Sequence, residues 1–140
     1  MIPCILFATA ISTPVDSLQN LLKDCPDAGK KAIIYVHLAD IYVDSINIAT
    51  TYWNEALTEA VKAEDEYITK LALDALVQRY ASKDEKIVKK YINIAQQVLP
   101  ESHNALFIDY LYCYNIWMEM RKNNSLELIE QELNELKNEN

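Results

Sequence analysis

Slid against itself by 38 residues, the chain repeats its own pattern: Leu38 falls on Leu76, Ala39 on Val77, Tyr42 on Tyr80, Ala49 on Ile87, Trp53 on Tyr91, Ala56 on Ile94 and Ala60 on Val98. Leu and Tyr are the identities, and elsewhere size and polarity agree by class. A period of this length marks supersecondary units that cannot bury their own faces alone and must stack on their neighbours. Steps of three and four residues place Tyr35, Leu38, Ala39 and Tyr42, or Leu73, Leu76, Val77 and Tyr80, on one helical face. The same steps gather Ala49, Trp53, Ala56 and Ala60, or Ile87, Tyr91, Ile94 and Val98, on a second. Each unit is therefore expected to be a pair of helices. A single Gly and four Pro leave little material for the tight turns of a sheet or barrel, and 51% hydrophobic residues over 140 positions can fill a core without disulfide or metal. An all-α fold is the expectation.

The boundaries follow from capping chemistry. Thr13-Pro14-Val15-Asp16 reads as an N-cap, a proline at the first helical position and an acid in the first turn, opening a short helix to about Asp24 that the stretch Cys25 to Gly29 ends. Helical pairs are then expected at about residues 30–62, 66–99 and 103–138 of a repeat domain spanning 13–140. Ser82-Lys83-Asp84-Glu85 has the form of a capping box within the second pair, and Ser102 beside His103 reads as an N-cap of the third. That third pair consists of an aromatic helix from roughly Asn104 to Lys122 and a last helix carrying Leu126, Ile129, Leu133 and Leu136, capped by Asn124-Ser125-Leu126-Glu127. It fits the 38-residue register only with a slip of about four residues in its second helix. The aromatic helix (Leu106, Phe107, Tyr110, Leu111, Tyr114, Trp117 and Met118, with Tyr112, Ile116 and Met120 on other sides) is apolar nearly all round, which predicts burial on all sides. The competing reading is a docking surface.

Behind these boundaries lies an apolar start. Met1 to Ile11 is apolar and small, and Phe7-Ala8-Thr9-Ala10 has the form of a signal cleavage site, although no basic residues precede it. The segment reads as a clipped signal peptide, with a packed apolar terminus as the alternative, and it is too short to span a bilayer.

Taken in order, Tyr35, Leu38, Ala39, Tyr42, Ala49, Trp53 and Ala56 resemble the signature of the tetratricopeptide repeat, whose members set an aromatic, a Leu and small residue, a Tyr, a small residue, an aromatic and an Ala along two helices. Tyr42 to Ala49 is two residues shorter than the family spacing and the period is 38 instead of 34, a departure that recurs between Tyr80 and Ile87. The resemblance covers about residues 30 to 138. It implies a right-handed solenoid of antiparallel helix hairpins whose first helices line a concave groove. It further implies a protein-interaction module. With the apolar leader, the arrangement is also similar to the exported sensor region of bacterial regulatory proteins, which implies an exported or periplasmic location, membrane-associated through a downstream part; a cytoplasmic location is the alternative. In that fold the groove-facing positions would be His37, Asp40, Asp44, Asp74 and Gln78, with Tyr35, Leu38, Ala39, Tyr42, Ala49, Trp53, Ala56, Leu76, Tyr80 and Tyr91 forming the core. The three acids favour a basic protein or peptide partner.

Other chemistries find no support in the residues. A net charge of −8 with no basic stripe disfavours nucleic acid, and no stretch is long enough to cross a membrane. The two histidines, His37 and His103, lack a ligand-type partner four residues away, the three cysteines are widely spaced, and the acid runs sit among polar neighbours. Neither catalytic residue, metal nor cofactor is expected. The rival functional reading is a carrier or sensor of a small apolar ligand held among Tyr42, Trp53, Tyr80 and Tyr91.

Overall fold

The computed structural model describes residues 13–138 and is all-helical over them. The apolar leader, and with it the signal-peptide reading, lies outside the described residues. Six helices follow one another among the described residues: α1 Pro14–Lys23, α2 Ala28–Ile41, α3 Ile46–Lys62, α4 Glu66–Tyr80, α5 Glu85–Val98 and α6 Glu101–Asn138. The chain forms two compact units, one ending at Ala72 and one beginning at Leu73, so that the boundary falls within α4.

In the first unit α1 starts as its capping residues require: the Thr13 hydroxyl accepts from the Asp16 amide at 3.1 Å and Pro14 occupies the first turn. Asp27 caps α2 in the same manner, accepting from the Lys30 amide at 3.0 Å. Gly29 lies inside α2 and not in the terminating stretch expected of it. Helices α2 and α3 pack against each other as an antiparallel pair, with Ala32 and Ala60 in one buried cluster and Ile68 and Val36 against them. Ala39, Ala49 and Ala56 are buried as well, and side chains this small let two helix axes approach closely. Tyr52 packs toward the end of the pair that the connecting turn closes: its ring lies 5.8 Å from Tyr42, stacked, and 6.2 Å from Tyr35.

The core of the second unit is formed by Leu73, Leu76 and Val77 of α4, Val88, Tyr91, Ile92 and Ala95 of α5, and Ile108 and Leu111 of α6. Two of its features differ from expectation. Asp84 caps α5, accepting from the Ile87 amide at 3.2 Å, while Ser82 takes the left-handed backbone conformation with φ 63°. With so few glycines the turns recruit ordinary residues, and Glu64, in the turn between α3 and α4, does the same with φ 54°. The other difference is larger. The break expected near Asn123 to Ser125 is absent, and the anticipated pair of helices over 103–138 is the single helix α6. No Gly or Pro interrupts this stretch, and the Ser125 hydroxyl, expected to help open a new helix, instead donates to the Arg121 carbonyl one turn back at 2.9 Å. Ser102 likewise sits inside the first turn of α6 and does not cap it. Among the described residues no helix is long and apolar enough to cross a membrane.

Candidate partner-binding surface

The residues expected to face a groove fall in different local settings. His37 and Asp40 are exposed on α2 and line a shallow hollow of about 590 Å³ with Pro14, Ser17 and Leu18 of α1. Asp44 is exposed in the turn after α2 and so does not lie on the helix face to which it was assigned. Asp74 and Gln78 are joined on α4, one turn apart, by a hydrogen bond of 3.0 Å from the Gln78 amide to Asp74 Oδ1.

Those last two meet the aromatic helix. The Tyr110 hydroxyl donates to the same Asp74 oxygen at 2.7 Å, a length typical of a charged acceptor. Burial raises the Tyr110 pKa above its ordinary 10.0, and the hydrogen bond and negative charge of Asp74 raise it further. From Tyr110 a ladder of rings runs along one side of α6. Phe107 and Tyr110 are 6.2 Å apart, Tyr110 and Tyr114 6.2 Å, Tyr114 and Trp117 5.9 Å, and the Arg121 guanidinium closes the row 4.9 Å from the Trp117 ring centre. These contacts follow from i, i+3 and i, i+4 spacing on a continuous helix. On the opposite side of the packed face, Tyr112 accepts from the Gln96 side chain of α5 at 3.4 Å, and beneath them Glu101, Ala105, Ile108 and Asp109 line a hollow of about 300 Å³.

The aromatic helix is not enclosed, which corrects the expectation of burial on all sides. Leu106 is 84% exposed, Ile116 57%, Trp117 50% and Met120 58%. Only the narrow face of Asn104, Ile108 and Leu111 is buried, because α6 is covered on one side only. Periodicity could not reveal this, since a helix apolar on every side reads the same whether or not neighbours exist to cover it. Past Lys122, whose ammonium donates to the Ser82 carbonyl at 3.0 Å, every residue to Asn138 is exposed.

Of the remaining core signature, Leu38, Ala39, Ala49, Ala56, Leu76 and Tyr91 are buried, while Tyr35, Tyr42, Trp53 and Tyr80 are half-buried. The residue that sequence reasoning missed is Tyr52, which contacts two of these and lies beside the more conspicuous Trp53. Three of the four rings proposed to line a ligand pocket are engaged within their own unit: Tyr42 stacks on Tyr52, and Tyr80 stacks on Tyr91 at 6.2 Å. The Tyr35 pKa is raised as well, by burial first and then by Glu55 and Glu59. Among the described residues no three His, Cys, Asp or Glu side chains are grouped closely enough to hold a metal ion. Comparison of the chain with protein-family models, characterised proteins and solved structures finds no match.

Proposed function

We propose that this chain is a non-catalytic module that binds another polypeptide, with its contact surface on the second unit where Asp74, Gln78 and Tyr110 adjoin the Tyr114, Trp117 and Arg121 row. The observation that carries this reading is the exposure of Tyr110, Trp117 and Arg121. Tyr, Trp and Arg are the residues that dominate binding energy at protein interfaces, and Trp117 stands half-exposed between Tyr114 and Arg121. Asp74 adds a charge suited to a basic segment of the partner.

The wider reading belongs to the same proposal. Two successive pairs of helices, the first with alanines at the close approach, suit a tetratricopeptide-like solenoid, and the apolar segment Met1 to Ile11 suits the exported sensor part of a bacterial regulatory system. The engagement of Tyr42 and Tyr80 by neighbouring rings supports a polypeptide ligand over a small apolar one.

A pull-down from the envelope and soluble fractions of the native host, with the full chain as bait, tests it. The wild type should retain a stoichiometric polypeptide that the Asp74→Asn, Trp117→Ala double variant loses. Equal retention by both would place binding elsewhere, and the absence of any stoichiometric polypeptide would remove the reading.

A further inference from the structure

The aromatic row of α6 is rich in hydrogen-bond donors. Tyr114 presents a hydroxyl, Trp117 an indole N–H and Arg121 a guanidinium, and the last two groups donate only. The acids of this part of α6 stand on other sides: Glu101 and Asp109 line the hollow beneath Tyr112, and Glu119, two residues after Trp117, falls on the opposite side of the helix. The carboxylate that adjoins the row comes from α4. Asp74 meets it at Tyr110, and the bonds from the Tyr110 hydroxyl at 2.7 Å and the Gln78 amide at 3.0 Å both end on Oδ1, so a cation of an incoming chain would be met by Oδ2. The row thus has an acid at one end, donors along its length and a guanidinium at the other end.

A polypeptide that answers these donors must bring carbonyls able to accept. A helix has engaged its carbonyls with its own amides, and an added strand needs a sheet edge, which the described residues, helical throughout their elements, do not provide. A polyproline II segment has no internal hydrogen bonds, so its carbonyls point outward, and its prolines carry no N–H in need of an acceptor. The spacing agrees with this choice. Tyr110 and Trp117 are seven residues apart on α6, about 10.5 Å at about 1.5 Å per residue, and polyproline II returns to the same edge every three residues, about 9.3 Å. Two prolines three residues apart would lie on these two rings and pass over Tyr114, 6.2 Å from the first and 5.9 Å from the second. Tyr110 and Trp117 are 41% and 50% exposed, and because each ring already packs on its neighbour, little side-chain freedom remains to be lost on binding.

We propose that the row of Tyr110, Tyr114 and Trp117 seats a proline-rich segment of another polypeptide in the polyproline II conformation, with a Lys or Arg at the end that meets Asp74. This rests on the interaction reading above and names the chemistry of its partner. Prolines stack on Tyr110 and Trp117, the carbonyls between them accept from Tyr114, Trp117 and Arg121, and Asp74 fixes the end at which the basic residue lies.

The test uses the full chain and two labelled peptides of about ten residues, enough for about 30 Å of polyproline II. Both carry lysines at one end. One repeats Pro-x-x-Pro, and the other has alanine at every proline, which keeps the charge and favours a helix. Fluorescence anisotropy should show saturable binding of the proline peptide, with the alanine peptide weaker by about tenfold or more. Trp117→Ala should lower the affinity for the proline peptide about tenfold, and Asp74→Asn about threefold, with part of the salt dependence lost. Helical content and unfolding midpoint report whether each variant remains intact. Absence of proline-peptide binding would overturn the proposal, as would equal binding of that peptide by wild type and Trp117→Ala. Equal or tighter binding of the alanine peptide would overturn it in favour of bulk charge or a helical occupant. A stoichiometric host polypeptide that depends on Asp74 and Trp117 but is not displaced by excess proline peptide would overturn this inference and leave the interaction reading standing.

Discussion

The Tyr110 to Asp74 hydrogen bond can be taken apart by a double-mutant cycle, and its geometry fixes the size of the answer. At 2.7 Å to an oxygen that Gln78 also approaches at 3.0 Å, it is a charge-assisted contact. Such bonds contribute about 1.5–3 kcal/mol when shielded from water. Tyr110 is 41% exposed, so solvent competes for both groups and the coupling should fall to about 1 kcal/mol. Tyr110→Phe, Asp74→Ala and the double variant would be unfolded in urea under far-ultraviolet circular dichroism. The two single losses should exceed the double loss by that coupling. The same contact has a pH signature. The fold favours the neutral phenol, so its contribution is complete below the ordinary 10.0 and is lost as pH rises through the higher folded value. Removing Asp74 should lower the Tyr110 pKa only part of the way, because burial, the larger cause, remains; absorbance of the tyrosinate reads this directly. Additivity of the two single variants within about 0.3 kcal/mol would refute the assignment of this bond as a joint between α4 and α6.

Three further outcomes follow from the fold. Ser125→Pro should reduce helical content yet leave the stability of the remaining core unchanged to within about 0.5 kcal/mol, because among the described residues α6 is exposed throughout beyond Lys122; a loss near the 3 kcal/mol of an interior proline would show that the extension is packed. Leu76→Ala removes a fully buried side chain and should cost about 2–5 kcal/mol in the same assay, whereas Leu106→Ala, on the helix once expected to be enclosed, should cost less than about 0.5 kcal/mol. Glu64→Gly should stabilise the chain by about 0.5 kcal/mol, the relief of a left-handed residue less the added freedom of the unfolded glycine, and a measured loss would show that the Glu64 side chain contributes more than its backbone strain costs.

What the sequence made legible were properties carried by single helices and their immediate neighbours. The cap at Thr13 is a local hydrogen bond between residues three apart, and the alanines at 49 and 56 are buried because their spacing places both on one face of α3, as Ala39 follows the face of α2 that buries Leu38. The break placed at Asn123 to Ser125 failed for an equally local reason. Asn and Ser are compatible with a cap or with a helix, and with no Gly or Pro nearby the hydroxyl of Ser125 found its acceptor within the helix. Ser82 and Glu64 were invisible as turn residues because neither is a type that favours positive φ. The groove residues were assigned through a resemblance, and only Asp74 with Gln78 and His37 with Asp40 share a local setting; Asp44 had been placed on a helix that ends three residues earlier.

Lys122 explains why one helix can serve two environments. It occupies the packed line of α6 at the point where the core of the second unit ends, and a leucine there would have extended the core past its cover. A lysine stem can lie along the edge of a core while its ammonium reaches a polar group, here the Ser82 carbonyl just beyond the C-terminal end of α4, where the helix dipole favours a cation. Beyond it the spacing of apolar residues resumes, whereas the flanking residues change from aromatic to acidic. A helix selected only to be solvated would have no reason to keep Leu126, Ile129, Leu133 and Leu136 in register with its buried half. An isolated helix of this length is marginal in water, because helical order in proteins comes mostly from burying one face. The retained stripe therefore implies that the extended half of α6 reaches its full order when that face is covered.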